Sequence, residues 1–512
     1  MPFEEKYGIK PVVVIATVLG VFMAILDSSV VNVAIPKMMS VFATTQNTIS
    51  WVVTVHLLTT GMLTPVSGYI GDRFGYKKVY MAALAIFTIG SALCGAAWSV
   101  ESMIAFRVLQ GIGGALLMPI SMSILFSLSK PEKRGAIMGI WGIAMMFAPA
   151  FGPTLSGYFV EYLNWRLVFY INIPVGIIDL VMSKIYLPTY KPKTMDRFDL
   201  PGFLTAVSGF FCLLYALSDA PNAGWASLEI ISLFTASGIL LSLFVVIELT
   251  AENPMLDLRL LKIPTFLVSA IASSLISMAM LGALFVLPVF LQNGIGLSPF
   301  QAGLLTMPGA VITGILMPIS GGLFDKIGAR PIATVGMSIM LVASIMLTDL
   351  NLEWSFFSIM IVYMIRASGM GLTNMPISTA GMNAVPGHMI SRATALQNTL
   401  RNVAGSIGTA MLSTMMQTHT NNSFNTYMQH LSNHSVQGVS SYGLTPSVYG
   451  ITNPSQMMHV MILLKQLAFQ NGTQYALKIS VIITGFAFVA ILFIGKKQEH
   501  VVVDKGQSIM AE

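Results

Sequence analysis

The chain has 512 residues, of which 55% are hydrophobic and only 9% are charged. Because a soluble domain carries about 25% charged residues, a chain this poor in charge cannot cover a water-facing surface of its size. The apolar runs are long and continuous, unlike the alternating strands of about ten residues that build a membrane β-barrel. The composition therefore excludes a soluble protein and predicts an all-α integral membrane protein.

Windows of about twenty apolar residues predict fourteen membrane-spanning helices. The first span follows a short charged segment, lacks a small-residue cleavage site and contains Asp27, so it is not a signal peptide. In chain order the predicted spans are 12–35, 50–70, 79–98, 102–127, 136–160, 166–187, 201–218, 229–248, 265–291, 301–322, 332–349, 355–378, 395–416 and 474–495.

The formal net charge of +6 does not indicate nucleic acid as a partner, because the basic residues sit in short loops beside apolar runs. With the N-terminus inside, 20 of the 27 Lys and Arg lie in or beside cytoplasmic segments and four lie outside. The other three, Arg107, Arg366 and Arg401, lie within spans. This asymmetry predicts a multi-pass protein of the inner, or only, cell membrane with both termini cytoplasmic.

An internal repeat divides the chain. The segment GMLTPVSGYIGDRFGYKK begins at Gly61 and the segment GILMPISGGLFDKIGARP begins at Gly314, with seven identities at an offset of 253 residues. Two halves in the same orientation are implied. The predicted organisation is therefore a six-helix bundle at 1–187, a linker with two inserted helices at 188–260 and a second six-helix bundle at 261–512.

A polar segment at 417–473, rich in Asn, Ser, His and Gln, is predicted to be a long outer loop. Within it, the apolar stretch 457–464 is predicted to form a short helix or hairpin arm at the membrane surface. The sequence leaves open whether a periplasmic adaptor binds this loop.

Five motifs, in order and at matching topological positions, resemble those of the major facilitator superfamily. Together with fourteen spans, they narrow the resemblance to its drug:proton antiporter group, the EmrB/QacA branch, over essentially the whole chain. The resemblance implies two six-helix bundles plus two inserted helices, and proton-driven efflux by alternating access. The motifs lie at 26–36, 68–78, 107–114, 148–157 and 165–174.

Asp27 is the first candidate for proton coupling, because a carboxylate within a span is costly and usually functional. It lies ~12 Å below the outer end of its span and Arg107 lies ~8 Å below the outer end of another. Both are therefore expected to line one cavity. The hypothesis is that Arg107 pairs with ionised Asp27, and that protonation weakens this pairing and permits the conformational switch. The alternative is a structural hydrogen bond to a neighbouring helix.

Asp179 is the second intramembrane acid. It is expected to be either a second titrating site or an interfacial residue whose side chain reaches towards water. Arg366 and Arg401 have no acid in their own spans, and they are expected to hold carbonyls or an acid on another helix.

The repeated loop motif predicts a charge cluster that latches the cytoplasmic side in one state. The alternative is that its basic residues only fix the topology. Asp72 is expected to pair with a helix N-terminus or with a basic group such as Arg134. The predicted latch residues are Gly68, Asp72, Arg73, Gly75, Lys78, Arg134, Asp325 and Arg330.

Two further sets of residues are predicted. The resemblance associates the 148–157 motif with antiport, through a tightly packed and kinkable helix that prevents leak. This antiporter motif contributes Pro149, Gly152, Pro153 and Gly157. Polar or adaptable side chains within spans are candidate substrate contacts. They are Asn32, Gln110, Met146, Asn172, Asn374 and Gln397.

The sequence carries no Walker A lysine motif, no His/Cys cluster for a metal and no nucleophile–base set, so neither an enzyme nor a metal site is predicted. No cofactor is expected, because the proton gradient would drive transport. The expected partners are protons, the lipid bilayer and amphipathic, often cationic, small molecules. Two alternatives remain open: a dedicated exporter of a metabolite, peptide, siderophore or lipid, and a membrane receptor or scaffold that transports nothing.

Overall fold

The computed structural model describes residues 9–189, 199–251, 254–433 and 454–494. Within these ranges the only regular secondary structure is helical, which confirms the predicted all-α class. The α-helices, in chain order, are α1 (Pro11–Val41), α2 (Gln46–Leu63), α3 (Ser67–Phe74), α4 (Tyr76–Gly95), α5 (Val100–Leu128), α6 (Arg134–Tyr162), α7 (Leu167–Tyr170), α8 (Asn172–Tyr186), α9 (Leu200–Ala223), α10 (Leu228–Thr250), α11 (Pro264–Asn293), α12 (Pro299–Ile327), α13 (Ala329–Met346), α14 (Phe356–Asn383), α15 (Ile390–Asn433) and α16 (Pro454–Leu492).

Thirteen helical segments of the described chain are long and apolar enough to cross a bilayer, and they coincide with thirteen of the fourteen predicted spans. The remaining span, predicted at 395–416, lies inside α15. That helix is more polar than the other thirteen segments, but its side chains Gln397, Asn398 and Arg401 are buried inside the protein. The fold is therefore consistent with fourteen spans, because α15 turns its polar groups away from lipid.

The prediction of a long outer loop at 417–473 is wrong for most of that segment. The helix α15 extends far into it and α16 begins before its end, while residues 434–453 lie outside the described residues. The apolar stretch 457–464 is part of α16. The two helices contact each other here, since Asn471 Nδ2 donates to Tyr427 Oη at 2.5 Å. Polar composition marks a water-exposed helix pair as readily as a loop, which explains the error.

The helices pack into an N-half, α1–α8, and a C-half, α11–α16, which meet most extensively through α6 and α12. Glycines allow this close approach: a Cβ on Gly139 would lie 2.5 Å from the carbonyl oxygen of Met317. Trp141 and Met317 belong to one buried apolar cluster that continues across the two halves. The long contact between α6 and α12 is therefore the main apolar connection of the molecule.

The inserted helices α9 and α10 pack against each other, and α9 also contacts α2 of the N-half and α15 of the C-half. Tyr215 of α9 stacks on Trp51 of α2 with ring centroids 5.6 Å apart. Trp225, in the turn before α10, donates its indole N–H to Thr414 Oγ1 of α15 at 2.9 Å. The inserted pair therefore lies beside the seam between the halves and contacts both.

Candidate functional site

Asp27, in the middle of α1, is fully buried and holds three hydrogen-bond donors. Its Oδ2 accepts from Arg107 Nη1 at 2.5 Å. Its Oδ1 accepts from Gln110 Nε2 and from Asn172 Nδ2, both at 2.9 Å. The cation and the two amides come from α5 and α8, so three helices converge on one carboxylate. Such a charge is tolerated inside a membrane protein only when it is paired and hydrogen-bonded in this way.

The guanidinium of Arg107 is held in place from several sides. Its Nε donates to the carbonyl of Val52 on α2 at 2.9 Å, and its Nη1 also donates to Gln110 Oε1 at 2.6 Å. The ring of Phe169 lies 5.9 Å from the guanidinium carbon. Because Arg107 and Gln110 are three residues apart on α5, they share one helix face and reach Asp27 together. The predicted pairing of Asp27 with Arg107 is what the structure contains.

Ser91 of α4 was not predicted and completes the site. Its Oγ accepts from Gln110 Nε2 at 2.6 Å and from Asn172 Nδ2 at 3.3 Å, so each amide bridges Asp27 and Ser91. The close packing of α4 on α5 makes this possible, since a Cβ on Gly90 would lie 2.7 Å from the Cα of Gln110. Sequence reasoning offers little signal for such a residue, because serines are common in spans and usually satisfy themselves on their own helix.

The six predicted substrate contacts separate into three groups. Gln110 and Asn172 are buried and both donate to Asp27, so they are part of the charge site. Asn32 is exposed on α1 and donates to the carbonyl of Ser28 at 3.1 Å. The remaining three lie elsewhere: Met146 is half-buried on α6, while Asn374 and Gln397 are buried in the C-half.

Asp179 is 0% exposed, so the alternative of an interfacial, water-seeking residue is wrong. Its two oxygens contact Tyr80 Oη at 2.9 Å and Ser183 Oγ at 3.0 Å. The side chain of the neighbouring Lys184 is exposed, and its backbone carbonyl accepts a hydrogen bond from Lys77 Nζ at 2.8 Å. Asp179 therefore faces the inside of the N-half at a second place on α8, away from Asp27.

The first copy of the repeated motif contacts the C-half. Ser391 Oγ donates to the carbonyl of Gly68 at 2.9 Å, and Asp72 Oδ2 lies 3.6 Å from Arg392 Nε. Asp72 also accepts from Tyr76 Oη at 3.0 Å. Of the two kinds of partner expected for Asp72, the structure contains a basic group, and it is Arg392 at the start of α15. We call the end of the bundle that carries these contacts the basic end.

The second copy contacts the N-half. Asp325 accepts from the backbone N–H groups of Gly135 at 3.0 Å and Ala136 at 3.1 Å, at the N-terminus of α6, where the helix dipole favours a negative charge. Arg134 Nη1 donates to Asn383 Oδ1 of α14 at 3.2 Å, and its guanidinium carbon lies 4.3 Å from the centroid of the Phe126 ring. The two copies thus join the halves at the same end.

Other predicted latch residues take supporting places. Gly75 has a φ of 86°, which only glycine adopts without strain, and it ends α3 and begins α4. Arg73 Nη1 donates to Tyr69 Oη at 2.8 Å within α3. Lys78 and Arg330 are exposed. The last two therefore fit the topological role better than the latch.

The 148–157 motif of α6 packs against α1. Ser29 Oγ donates to the carbonyl of Ala148 at 3.4 Å, and Ser156 Oγ donates to the carbonyl of Val30 at 2.6 Å. Gly152 lies directly against Ser29, with no room for a side chain, whereas a Cβ on Gly157 would meet nothing within 4 Å. The helix continues through Pro149 and Pro153, and the side chain of Pro153 is outside the described residues. The motif therefore fixes α6 to the helix that carries Asp27, while an earlier stretch of α6 contacts α12.

The two C-half arginines lack a carboxylate partner among the described residues. Arg366 Nε donates to Ser344 Oγ at 3.1 Å, and its Nη2 donates to the carbonyl of Ala279 at 3.5 Å. Arg401 is buried, and its backbone carbonyl accepts from Ser277 Oγ at 3.0 Å. Of the two expectations for Arg366, a carbonyl partner is therefore the one that the structure contains.

Comparison with known proteins gives a consistent family. The model of the Major Facilitator Superfamily matches residues 17–409. The uncharacterized MFS-type transporter YhcA of Bacillus subtilis is 38% identical over 81% of this chain and 79% of its own length. Lincomycin resistance protein LmrB of Listeria monocytogenes is 32% identical over 80% of this chain and 87% of its own length. The multidrug resistance protein B homolog of Mycobacterium tuberculosis is 32% identical over 79% of this chain and 76% of its own length.

A solved structure extends the agreement to the fold. The human organic anion transporter MFSD10 superposes with a TM-score of 0.62 at 12% identity, covering 94% of this chain and 100% of that one. At 12% identity this structural similarity is evidence for the fold alone. With the family model over most of the chain and relatives above 30% identity, the sequence and the fold agree, and the chain is a multi-pass membrane transporter that belongs to the major facilitator superfamily.

Proposed function

We propose that the protein is a proton-driven exporter of amphipathic small molecules that works by alternating access. The observation that supports this most is the buried ion pair of Asp27 and Arg107. Two charges inside a membrane bundle cost more to bury than an apolar pair of similar volume, so such a pair is expected to serve function and not stability alone.

The contacts at the basic end favour one state of the cycle. Gly68 and Asp72 contact α15, and Asp325 contacts the start of α6, so polar groups of both halves meet there. Asn32, on the other side of Asp27 along α1, is exposed. Since positive-inside topology predicts that the basic end is cytoplasmic, we assign this arrangement to an outward-facing state.

Protonation of Asp27 would change the balance of this site. The neutral acid can no longer neutralise Arg107, and the guanidinium is left with the carbonyl of Val52 and Gln110 Oε1. Because α1, α5 and α8 all hold the carboxylate, a weaker hold on it changes the packing of three helices at once. The site thereby converts a proton from outside into a conformational bias, which is the coupling that an antiporter needs.

The substrate class rests on other grounds. Two relatives are named for resistance to lincomycin and to multiple drugs, which supports export of drug-like compounds here. The preference for cations expected from Asp27 would require a cationic solute to compete with Arg107, since the carboxylate is already paired. We therefore propose amphipathic drugs as the substrates and direct competition at Asp27 as the route by which cations would act.

The deciding experiment is transport by purified protein in liposomes with an imposed pH gradient. We expect Asp27→Asn to abolish proton-driven export, because the amide cannot take up a proton yet keeps the size of the side chain. The matched control is Asp349→Asn, the same change at an exposed acid outside the bundle core. Normal antiport by Asp27→Asn would defeat the proposal.

The dedicated exporter of one metabolite, peptide, siderophore or lipid shares this mechanism and differs only in breadth. A panel of cationic, neutral and anionic dyes and antibiotics, tested for efflux in a pump-deficient host, separates the two. Export of a single compound class would favour the dedicated exporter. A protein that moves neither protons nor any solute in liposomes would favour the receptor or scaffold.

A further inference from the structure

We propose that Asp179 is a second proton-binding site and that it holds a proton in the state observed here. Three helices build the site. Asp179 comes from α8, Tyr80 from α4 and the carbonyl of Ala16 from α1. Tyr80 Oη lies 2.9 Å from Asp179 Oδ2 and 3.0 Å from Ala16 O, while Ser183 Oγ donates to Asp179 Oδ1 at 3.0 Å.

Counting protons favours the neutral acid. The phenol of Tyr80 has one proton, and two oxygens lie within hydrogen-bond distance of it. If Asp179 were ionised, its Oδ2 and the carbonyl of Ala16 would compete for that single proton. If Asp179 is protonated on Oδ2, its O–H donates to Tyr80 Oη and Tyr80 donates to Ala16 O. Every donor then has one acceptor, and the chain of hydrogen bonds from Ser183 to α1 is complete.

The charges around Asp179 point the same way. Among the described residues, none of the Lys, Arg or His side chains forms an ion pair with it. The helices packed against α8 are α1, α4 and α7, and of their titratable groups the one in contact with Asp179 is Tyr80. Lys77 of α4 instead binds the carbonyl of Lys184. A fully buried carboxylate without a cation is expensive, and a proton removes that cost.

The fold leaves space for this network. A Cβ on Gly20 of α1 would lie 2.9 Å from Asp179 Oδ2 and would collide with the Tyr80 hydroxyl, so only glycine admits the contact. On α8, the buried residues are Asn172, Gly176, Asp179 and Ser183, which form one stripe along the helix. Asn172 binds Asp27 of α1. The same face of α8 therefore contacts Asp27 through Asn172 and carries Asp179, and these two positions on α8 are ~10 Å apart along its axis.

This stripe gives the second site its role, which rests on the proposed function. Asp27 is the acid nearer the outer end of α1, and Asp179 lies about two turns closer to the basic end. A change in the packing of α1 against α8, as expected when Asp27 loses Arg107, also changes the contact of Ala16 with Tyr80. We therefore expect the proton on Asp179 to be exchanged in the same cycle, as a second proton for each substrate.

Infrared difference spectroscopy of the purified full-length protein at neutral pH tests the protonation directly. Comparison of wild type with Asp179→Asn should show the loss of a carboxylic acid C=O band. In contrast, Asp27→Asn should show the loss of carboxylate bands. Since the amide of Asn can donate to Tyr80 and accept from Ser183, we expect Asp179→Asn to fold. Loss of carboxylate bands in Asp179→Asn would overturn the proposal.

Two further variants keep the assignment secure if Asp179→Asn folds poorly. Tyr80→Phe removes the acceptor of the acid proton, and Ser183→Ala removes the donor to its C=O oxygen. Both should shift the acid band without abolishing it. An acid band that responds to neither substitution would place the proton elsewhere and refute the site.

Transport tests the exchange. In liposomes, the number of protons moved per substrate should fall by one in Asp179→Asn while export continues, and an unchanged ratio would overturn the second-proton role. Wild-type protein that moves no protons would instead defeat the proposed function, and the infrared result would still decide whether Asp179 is protonated.

Discussion

The two halves of the molecule carry a buried arginine at comparable places, Arg107 on α5 and Arg366 on α14, and give it different partners. Arg107 meets a carboxylate at 2.5 Å, whereas Arg366 meets the hydroxyl of Ser344 and the carbonyl of Ala279. At the repeat offset of 253 residues, the position of Asp27 corresponds to Met280, beside that carbonyl. At the same offset Arg107 corresponds to Met360, six residues before Arg366 on α14. Each half thus carries a buried base on the corresponding helix at a different position, and in the described residues only the N-half base has an acid partner.

The latch, in contrast, has its acid in both halves. Asp72 and Asp325 are both present, and each reaches the other half at the basic end. A rocking motion of two halves needs contacts that close the same end from both sides, so the latch benefits from being duplicated. A proton site needs only one acid whose charge changes the packing of helices, so a second copy is dispensable. This difference separates the parts that move the protein from the part that responds to protons.

The largest expected effect is the difference in stability between two variants, one lacking Arg107 and the other lacking Arg366. Arg107→Met leaves Asp27 buried with neutral donors alone, so we expect the free energy of unfolding to fall by about 3–5 kcal/mol. Arg366→Met removes a charge that has no carboxylate partner in the described part of the chain and loses two neutral contacts. Those two effects oppose each other, and we expect a change within about 1 kcal/mol. Chemical unfolding of the purified proteins in one detergent measures both.

The control for this pair is Arg330→Met, which removes an exposed arginine and should leave unfolding unchanged. Asp27→Asn combined with Arg107→Met should be more stable than the sum of the single changes predicts, since neither charge is then left alone. Equal destabilisation by Arg107→Met and Arg366→Met would contradict the comparison, because it would mean that the C-half arginine also has an ionic partner.

From the sequence alone, only the two charged residues of the charge site could be predicted to lie together. An acid and a base in apolar spans are rare, so Asp27 and Arg107 were recognisable, and their depths from the outer ends of their helices predicted a shared location. The amides of Gln110 and Asn172 were recognised as unusual, but the sequence did not show whether they bind a solute or a side chain. Only the packing of α5 and α8 around α1 decides that both bind Asp27.

Other residues gave no usable signal. Hydroxyl groups in spans mostly bond to their own helix, as Thr88 does with the carbonyl of Leu84, so neither Ser91 nor Tyr80 stood out. In the fold, fourteen spans were predicted from apolar length and each lies on a helix, but the extent of α15 and α16 was missed. Average polarity does not reveal whether a polar helix is buried, paired in water or unfolded.

A smaller effect is expected from each copy of the latch. Asp325→Asn weakens two hydrogen bonds from backbone N–H groups at the N-terminus of α6, and Asp72→Asn removes an ion pair at 3.6 Å. Both should shift the protein away from the state closed at the basic end. Since charge-assisted hydrogen bonds at a helix N-terminus contribute more than a looser ion pair, we expect the larger shift from Asp325→Asn, about fivefold to tenfold in the ratio of closed to open protein.

Disulfide crosslinking across the basic end reports this ratio. Arg134→Cys and Asn383→Cys place thiols on two side chains that contact each other across the halves, in a background with Cys94→Ala and Cys212→Ala. Crosslinking yield should fall in the order wild type, Asp72→Asn, Asp325→Asn. A yield that depends on one aspartate and not on the other would show that the latch is as asymmetric as the proton site.

The smallest effect is expected from Lys78→Gln and Arg330→Gln, the basic residues at the exposed end of each repeat. The repeated motif suggested that they belong to the latch, but both side chains are exposed, where a single charge contributes little to stability. We expect crosslinking yield and unfolding to match wild type in both variants. Their effect should instead appear in membrane insertion, because basic residues beside spans set the orientation. Protease accessibility of the termini in sealed vesicles measures it. A loss of crosslinking without a change in orientation would return both residues to the latch and make the duplicated contact larger than Asp72 and Asp325 alone.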